Sequence, residues 1–232
     1  MRLEGLVKGQ FMERLNRFAA RVAVNGEPCL CHVPNSGRMR ELLLVGAEVL
    51  LLPAEAGSER KTAYTLVMVR YRGSWVMIHA HWTNDIAEEG LRRGFFPGFE
   101  EAADIRREVV HGGSRFDLGF RMAGRLWLGE VKCVTLVEDG LALFPDAPTL
   151  RGAKHMEHLK DALEAGYGAA VFFIIQREDA KAFRPNRAMD SHFDEAFWRL
   201  LRAGGLAGAF GCQVTEECVS VSHNVPILRQ ET

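Results

Sequence analysis

The chain has 232 residues, of which 47% are hydrophobic and 25% are charged, as in an ordinary folded globular protein. Its net charge of −1 excludes a protein that is basic over its whole surface. The first 80 residues nevertheless carry 11 basic and 7 acidic side chains, against 18 and 23 in the remainder. This local excess of positive charge suits an anionic partner.

The cysteine content and the hydropathy pattern predict a soluble, cytoplasmic protein. Five cysteines form no dense framework, which favours a reducing compartment. Charges are scattered through residues 1–18, so we expect no signal peptide. No apolar run approaches the length of a membrane span, and association with a membrane is therefore not expected.

Residues 1–80 are predicted to form five short strands. An alternating run on each side of Asn25-Gly26 indicates a β-hairpin. A buried strand follows in GAEVLLLP, and two more runs flank Arg72-Gly73-Ser74 in YTLVMVRYRGSWVMIHA. Five strands in so short a segment are typical of a small barrel of the OB type.

Residues 81–232 alternate between helices and strands. A first helix, TNDIAEEGLRR, is predicted to be capped by Thr83 or Asn84, and a hairpin follows around Gly112-Gly113. Thr149 is placed to cap a second helix, and the continuous apolar run AAVFFIIQ is typical of a strand buried on both faces. This order predicts an α/β domain with a mixed sheet, so that the whole chain is of the α+β class.

Two acids and a lysine lie in the predicted hairpin SRFDLGFRMAGRLWLGEVK, residues 114–132. If its turn is centred between Ala123 and Gly124, Asp117 lies directly opposite Glu130, and alternation puts Lys132 on the same face. The apolar residues of the two strands should then share the other face: Phe116, Leu118, Phe120, Trp127, Val131 and Cys133. The acid pairing and the apolar pattern therefore agree on one register.

Directly opposed carboxylates destabilise a sheet, because their Cβ atoms are only about 5 Å apart. A divalent cation, Mg²⁺ or Mn²⁺, between Asp117 and Glu130 would offset the repulsion, since hard cations take oxygen ligands and keep several waters. Such a cation activates water and stabilises charge on a phosphate, and Lys132 is placed to orient that water or to neutralise the same charge. An exposed sheet face that carries acid–lysine pairs is the alternative interpretation.

Asp117 and the later EVK at residues 130–132 resemble the core motif of the PD-(D/E)XK nucleases, with Phe116 where that motif has proline. Over nearly its full length the chain also resembles the sugar fermentation stimulation protein A family, most specifically in CHVPNSGRM, GEVKCVTLVEDGLALFPDAPTLRGAKH and FFIIQREDA. The resemblance implies an N-terminal OB-like domain, a C-terminal nuclease-like domain and binding of DNA or nucleotides. It also implies a catalytic triad of Asp117, Glu130 and Lys132, with Asp117 and Glu130 as metal ligands.

Two groups of polar and basic residues are predicted to contact a nucleic acid. The helix after Thr149 carries basic side chains, from Arg151 to His158, at spacings of three and four. The loop CHVPNSGRMR combines a glycine, which lets a backbone approach, with arginines, which suit phosphates. A solvated helix face and a turn with incidental arginines are the alternatives. The predicted contact residues are Asn35, Ser36, Arg38, Arg40, Arg151, Lys154 and His155.

Three further positions are candidates for auxiliary roles. Glu108, on the strand before the acid pair, is a candidate third acid, as are Glu88 and Glu89 on the preceding helix. Asp146 lies in the proline-bounded turn FPDAP and is either a site residue or a helix-approach cap. Gln176 ends the buried strand, where ligands gather in parallel sheets, and either holds a substrate oxygen or bonds to the backbone.

Together these features predict a cytoplasmic DNA-binding protein with a nuclease-like site that depends on Mg²⁺ or Mn²⁺. Hydrolysis would use a metal-activated water, with Lys132 stabilising the transition state. A DNA-binding regulator of sugar-metabolism genes that does not cleave is the alternative, and a binder of small nucleotides is a third hypothesis.

Overall fold

The computed structural model describes residues 1–55, 57 and 60–229. Its first part contains the strands β1 (Val7–Asn16), β2 (Ala19–Val24), β3 (Glu27–His32), β4 (Glu48–Pro53), β5 (Tyr64–Tyr71) and β6 (Ser74–Met77). These strands form one sheet in the order β3-β2-β1-β4-β5-β6, and a short parallel pairing between β3 and β5 closes β1 to β5 into a barrel. The predicted OB-like barrel is thus confirmed.

The membership of the barrel differs from the prediction in two strands. The sequence pattern does not reveal β1, because Phe11 is the one fully buried residue among its ten and the alternation is weak. β6, which the pattern assigns to the barrel, extends the edge of the sheet instead. The hairpin at Asn25-Gly26 is present, with φ of 52° and 85° at these two residues, as a two-residue turn of this kind requires.

A short 3-10 turn (Ala80–Trp82) connects the barrel to the second part. The elements that follow are α1 (Thr83–Arg92), β7 (Ala103–His111), β8 (Ser114–Met122), β9 (Arg125–Val134), β10 (Val137–Glu138), β11 (Leu141–Phe144), α2 (Leu150–Glu164), β12 (Gly168–Ile175), β13 (Ala182–Pro185), α3 (Ser191–Arg202), β14 (Leu206–Val214) and β15 (Val219–Val225). Six strands form a sheet in the order β15-β14-β12-β9-β8-β7, in which β9, β12 and β14 are parallel. The predicted mixed sheet is confirmed.

Helices cover both faces of this sheet. The central strand β12 is buried at every residue, as its apolar sequence predicts, and its side chains alternate between two cores. Phe172 packs in the core that includes residues of α1, and Phe173 packs in the core under α2 and α3. Thr149 caps α2 as predicted, because its side-chain oxygen accepts a hydrogen bond from Gly152 N at 3.0 Å.

The β8–β9 hairpin has the predicted register. Leu118 pairs with Gly129, and one step further along the same register Asp117 lies opposite Glu130. The expectation that the apolar side chains of β8 share one core is wrong, however. Phe116 belongs to the core under α2 and α3, whereas Leu118 belongs to the core on the α1 side. The β7–β8 ladder is interrupted between these residues, where Glu108 of β7 has a φ of +56°.

Hydrogen bonds join the barrel to the second part. Met77 N donates to Gln176 O at 3.0 Å, and Arg38 N donates to Asp146 Oδ2 at 2.8 Å. The buried guanidinium of Arg177 lies 5.1 Å from the centroid of the Tyr71 ring. No helix among the described residues combines the length and the apolar character needed to cross a membrane.

Candidate metal and nucleic-acid site

Asp117 is held at both oxygens of its carboxylate. Oδ1 accepts a hydrogen bond from Asn84 Nδ2 of α1 at 2.9 Å, and Oδ2 accepts one from Val131 N of β9 at 2.8 Å. Burial raises the pKa of Asp117, and the nearby charge of Glu130 raises this pKa further. The carboxylate is therefore fixed in orientation and lies within the electrostatic field of the second acid.

Glu130 is only 3% exposed and has one oxygen satisfied and one unsatisfied. Its Oε1 lies 2.6 Å from Lys132 Nζ and also makes a short hydrogen bond with His155 Nδ1. Its Oε2 is buried and has no hydrogen-bond partner among the described residues. Burial acts to raise the pKa of Glu130, but Lys132 and His155 outweigh burial, and the pKa is lowered. Glu130 is therefore ionised at neutral pH, with one bare oxygen.

The orientation of His155 follows from its two hydrogen bonds. Arg151 Nε donates to His155 Nε2 at 3.3 Å, which makes Nε2 the acceptor nitrogen of the ring. The proton is then assigned to Nδ1, which donates to Glu130 Oε1. His155, predicted as a nucleic-acid contact, thus points into the acid site and positions Glu130.

The oxygen atoms of the acid pair fit a hard divalent cation. Among the described residues there is no group of three or more His, Cys, Asp or Glu side chains arranged to hold a metal. The protein would therefore contribute Asp117 and Glu130, and water would complete the coordination, as Mg²⁺ prefers. The bare Oε2 of Glu130 is the atom that most needs such a partner, because an unpaired buried carboxylate oxygen is costly.

The other candidate acids do not join the pair. The side chain of Glu108 is exposed and lies 3.5 Å from Arg115. The two acids on α1 pair with arginines four residues later, Glu88 with Arg92 at 2.8 Å and Glu89 with Arg93 at 3.3 Å. The structure therefore brings no third acid from β7 or α1 to Asp117 and Glu130 within the described residues.

Gln176 lies near the site but is bonded inside the protein. It is fully buried, its Nε2 donates to Thr83 Oγ1 at 2.9 Å, and its Oε1 accepts from Cys133 Sγ at 3.3 Å. Thr83 and Asn84 are therefore not caps of α1, whose N-cap position is occupied by Trp82 without a side-chain bond. The sequence pattern indicates Asn84 only as a cap and does not predict its contact with Asp117.

The predicted nucleic-acid loop faces the turn before α2 across a cleft of about 500 Å³. Asp146 anchors the loop, because its Oδ2 accepts the hydrogen bond from Arg38 N. Asn35 Oδ1 accepts from Gly37 N at 2.8 Å, and a Cβ atom at Gly37 would lie 2.4 Å from Asp146 Oδ2. Asp146 thus positions the loop instead of meeting the acid pair. Asn35, Ser36, Lys132, Asp146 and Arg151 line the cleft.

Arg14 of β1, which no sequence pattern indicates as a site residue, determines the shape of the same loop. Its guanidinium donates to the carbonyl oxygens of Asn35 at 2.9 Å and of Gly37 and Arg38 at 2.7 Å each. Arg38 and Arg40 are exposed, but neither is among the residues that line the cleft. The loop therefore presents cations from a backbone that is rigidly held.

The fold and the site define a protein with an OB-type barrel followed by an α/β part that carries two acids and a lysine on a hairpin. Two family models match the chain, the SfsA N-terminal OB domain over residues 12–78 and the Sugar fermentation stimulation protein RE domain over residues 81–218. The chain belongs to the sugar fermentation stimulation protein family, as the resemblance implies.

Curated relatives match over nearly the whole chain. The sugar fermentation stimulation protein homolog of Acetivibrio thermocellus is 43% identical, over 98% of this chain and 99% of the relative. That of Natranaerobius thermophilus is 41% identical, over 98% and 96%. The solved structure of Pyrococcus furiosus SfsA in complex with Ca²⁺ superposes with a TM-score of 0.89 at 24% identity, over 99% and 98% of the two chains. This last similarity shows the shared fold.

Proposed function

We propose that this protein binds DNA and hydrolyses its phosphodiester bonds with a divalent cation, Mg²⁺ or Mn²⁺, held between Asp117 and Glu130. The observation that carries the proposal is the bare, buried Oε2 of Glu130 beside a second carboxylate. A buried acceptor without a partner costs about 1–3 kcal/mol, which a bound cation would offset. The Ca²⁺ named with the Pyrococcus furiosus relative supports the proposal, because Ca²⁺ also takes oxygen ligands.

The surrounding residues have separate roles in this proposal. When bound, the cation supplies an activated water and stabilises negative charge on the phosphate. Asn84 and Val131 N hold the carboxylate of Asp117, and His155 holds that of Glu130. Lys132 lines the cleft, and its Nζ, which is hydrogen-bonded to Glu130, would be the group that stabilises charge on a phosphate oxygen of the substrate.

A DNA-binding regulator that does not cleave is the second candidate, and one observation favours it. Lys132 and His155 already donate to Glu130 Oε1, so the ammonium group of Lys132 compensates the negative charge of Glu130 without a cation. In that case the basic residues of the loop and of α2 would bind the DNA backbone, and the acid pair would be a binding or vestigial feature.

Incubation of the protein with labelled duplex, single-stranded and branched DNA, with and without Mn²⁺, tests the proposal. Glu130→Ala and Lys132→Ala should abolish cleavage. Glu164→Ala and Lys160→Ala are matched controls, because Lys160 and Glu164 form an ion pair of 2.6 Å on α2 and line neither the cleft nor the acid site. Both control variants should cleave DNA as the wild type does.

Intact DNA in every lane, with the wild-type protein still retarding it on a gel, would favour the regulator. The salt dependence of binding separates both from a binder of small nucleotides. The logarithm of the binding constant falls linearly with the logarithm of the salt concentration, with a slope of about −0.9 per phosphate contacted on duplex DNA. A protein that binds a mononucleotide therefore gives a shallow slope.

A further inference from the structure

We propose that the substrate strand crosses this protein in two grooves that meet at Arg151, so that the acid pair acts on an internal phosphodiester bond and not at a strand end. This inference rests on the proposed function and specifies its substrate. One groove is the cleft between the predicted nucleic-acid loop of the barrel (the barrel loop, residues 35–38) and the turn before α2. The other lies on the far side of the first turns of α2.

The second groove, of about 350 Å³, runs between α2 and the turn that joins β7 to β8. Its polar lining includes Ser114, Arg115, Lys154 and His158, and Ser114 Oγ is hydrogen-bonded to His158 Nδ1. The residues that line it include no acid. Arg115 does contact Glu108 at 3.5 Å, but both side chains are more than 60% exposed, and so exposed a pair is weak enough for a phosphate to replace the carboxylate.

The two partners of Glu130 open into different grooves. Lys132 lines the cleft, and His155 lines the second groove. Both of these residues contact Glu130 Oε1, so the buried Glu130 lies behind the junction, between a residue that lines the cleft and a residue that lines the second groove. Leu150 and Arg151 line both grooves, and the side chain of Leu150 is 87% exposed at this junction. A strand in contact with the site can therefore continue in either direction.

The second groove is long enough to hold several nucleotides. From Arg151 to His158 the helix rises about 10 Å at 1.5 Å per residue. Along the axis of a B-form duplex each strand carries one phosphate about every 3.4 Å, so a duplex aligned with α2 would place about three nucleotides of one strand beyond the junction. A site that acts only on strand ends needs protein that blocks the strand beyond the scissile bond. Among the described residues, a second groove continues from Leu150 and Arg151 instead.

Cleavage of closed circles tests the inference directly. The wild-type protein with Mn²⁺ should linearise a closed circular single-stranded DNA or a closed duplex circle at a rate similar to that at which it cuts the linear form. Degradation of the linear form with intact circles would overturn the inference while leaving the proposed nuclease function in place.

Binding provides a readout that does not depend on cleavage. In fluorescence anisotropy with a labelled oligonucleotide and no divalent cation, Arg115→Ala should weaken binding at least threefold and reduce the salt slope by about 1. Arg121→Ala is the matched control, because Arg121 lies on the same strand, is equally exposed at 62%, and pairs with Asp104 at 3.8 Å. Equal affinities of the two variants would overturn the inference even if no DNA is cut.

Discussion

Replacing Gly37 by alanine should open the contact between the barrel loop and the α/β part. Gly37 does not have a positive φ, so its backbone accepts alanine. The new methyl group would lie 2.4 Å from Asp146 Oδ2 and 3.0 Å from Asn35 Oδ1. The carboxylate is the end of a side chain and can rotate away, but it then loses the hydrogen bond from Arg38 N.

The size of the effect follows from two opposing contributions. A hydrogen bond to a charged group contributes about 1.5–3 kcal/mol, whereas replacing glycine by alanine restricts the unfolded chain and stabilises by about 0.4–1 kcal/mol. Gly37→Ala should therefore lower the free energy of unfolding by about 1–2 kcal/mol. In an Asp146→Ala background the bond is already absent, so only the stabilising contribution remains, and the same substitution should raise the free energy of unfolding by about 0.4–1 kcal/mol.

Urea unfolding of the wild type, the two single variants and the double variant measures this coupling, provided that the slope m is the same for all four. If Gly37→Ala destabilises the Asp146→Ala protein as much as it destabilises the wild type, the reasoning is refuted. The methyl group would then act through Asn35 Oδ1, the other close atom.

Three other substitutions test separate parts of the structure. Burial lowers the pKa of His79 to about 4, so the unfolded chain takes up the proton first. The contribution of neutral His79 to the free energy of unfolding should be fully present above about pH 6.5 and should fall by at most about 3 kcal/mol towards pH 4. His79→Gln should therefore flatten the dependence of the urea midpoint on pH. Parallel profiles of the urea midpoint for the wild type and His79→Gln would contradict this expectation. Thr149→Ala should lower the free energy of unfolding by about 1 kcal/mol, because the hydrogen bond from Gly152 N to the cap is lost. Thr149→Ser keeps the hydroxyl and should retain most of this stability. Equal losses of stability for the two variants in thermal or urea unfolding would exclude the cap. Asn84→Ala should weaken Ca²⁺ or Mn²⁺ binding about 10–100-fold in calorimetric titration, because Asp117 loses a donor; an unchanged affinity would remove Asn84 from the site.

Local patterns were sufficient for features that depend on neighbours close in sequence. The register that opposes Asp117 and Glu130 follows from a tight turn at Ala123 and Gly124, whose positive φ values of 50° and 75° accommodate the reversal. The cap of α2 depends on Thr149 and a backbone N–H three residues later. In both cases the chemistry and the periodicity of a short segment act in the same direction, so one conformation is favoured.

Features that depend on distant segments left no such pattern. Arg14 lies in a polar, mostly exposed strand, and its role appears only when the loop at residues 35–38 is folded against it. The contact of Asn84 with Asp117 joins residues 33 positions apart on different elements. Glu108 looked like a third acid by position, but the positive φ at that residue and an exposed arginine direct its carboxylate to solvent.

The arrangement of helices on both faces of the sheet explains why the two acids differ. Asp117 receives its side-chain donor from α1, on one face, whereas Glu130 receives His155 from α2, on the other. Burial and the charge of Glu130 raise the pKa of Asp117, although Lys132 acts to lower it, whereas Lys132 and His155 outweigh burial and lower the pKa of Glu130. Because each carboxylate is positioned by a different helix, a shift of either helix would change the separation of the two acids. The packing of Phe172 and Phe173 on opposite faces of β12 holds both helices against the sheet and thereby maintains the geometry of the site.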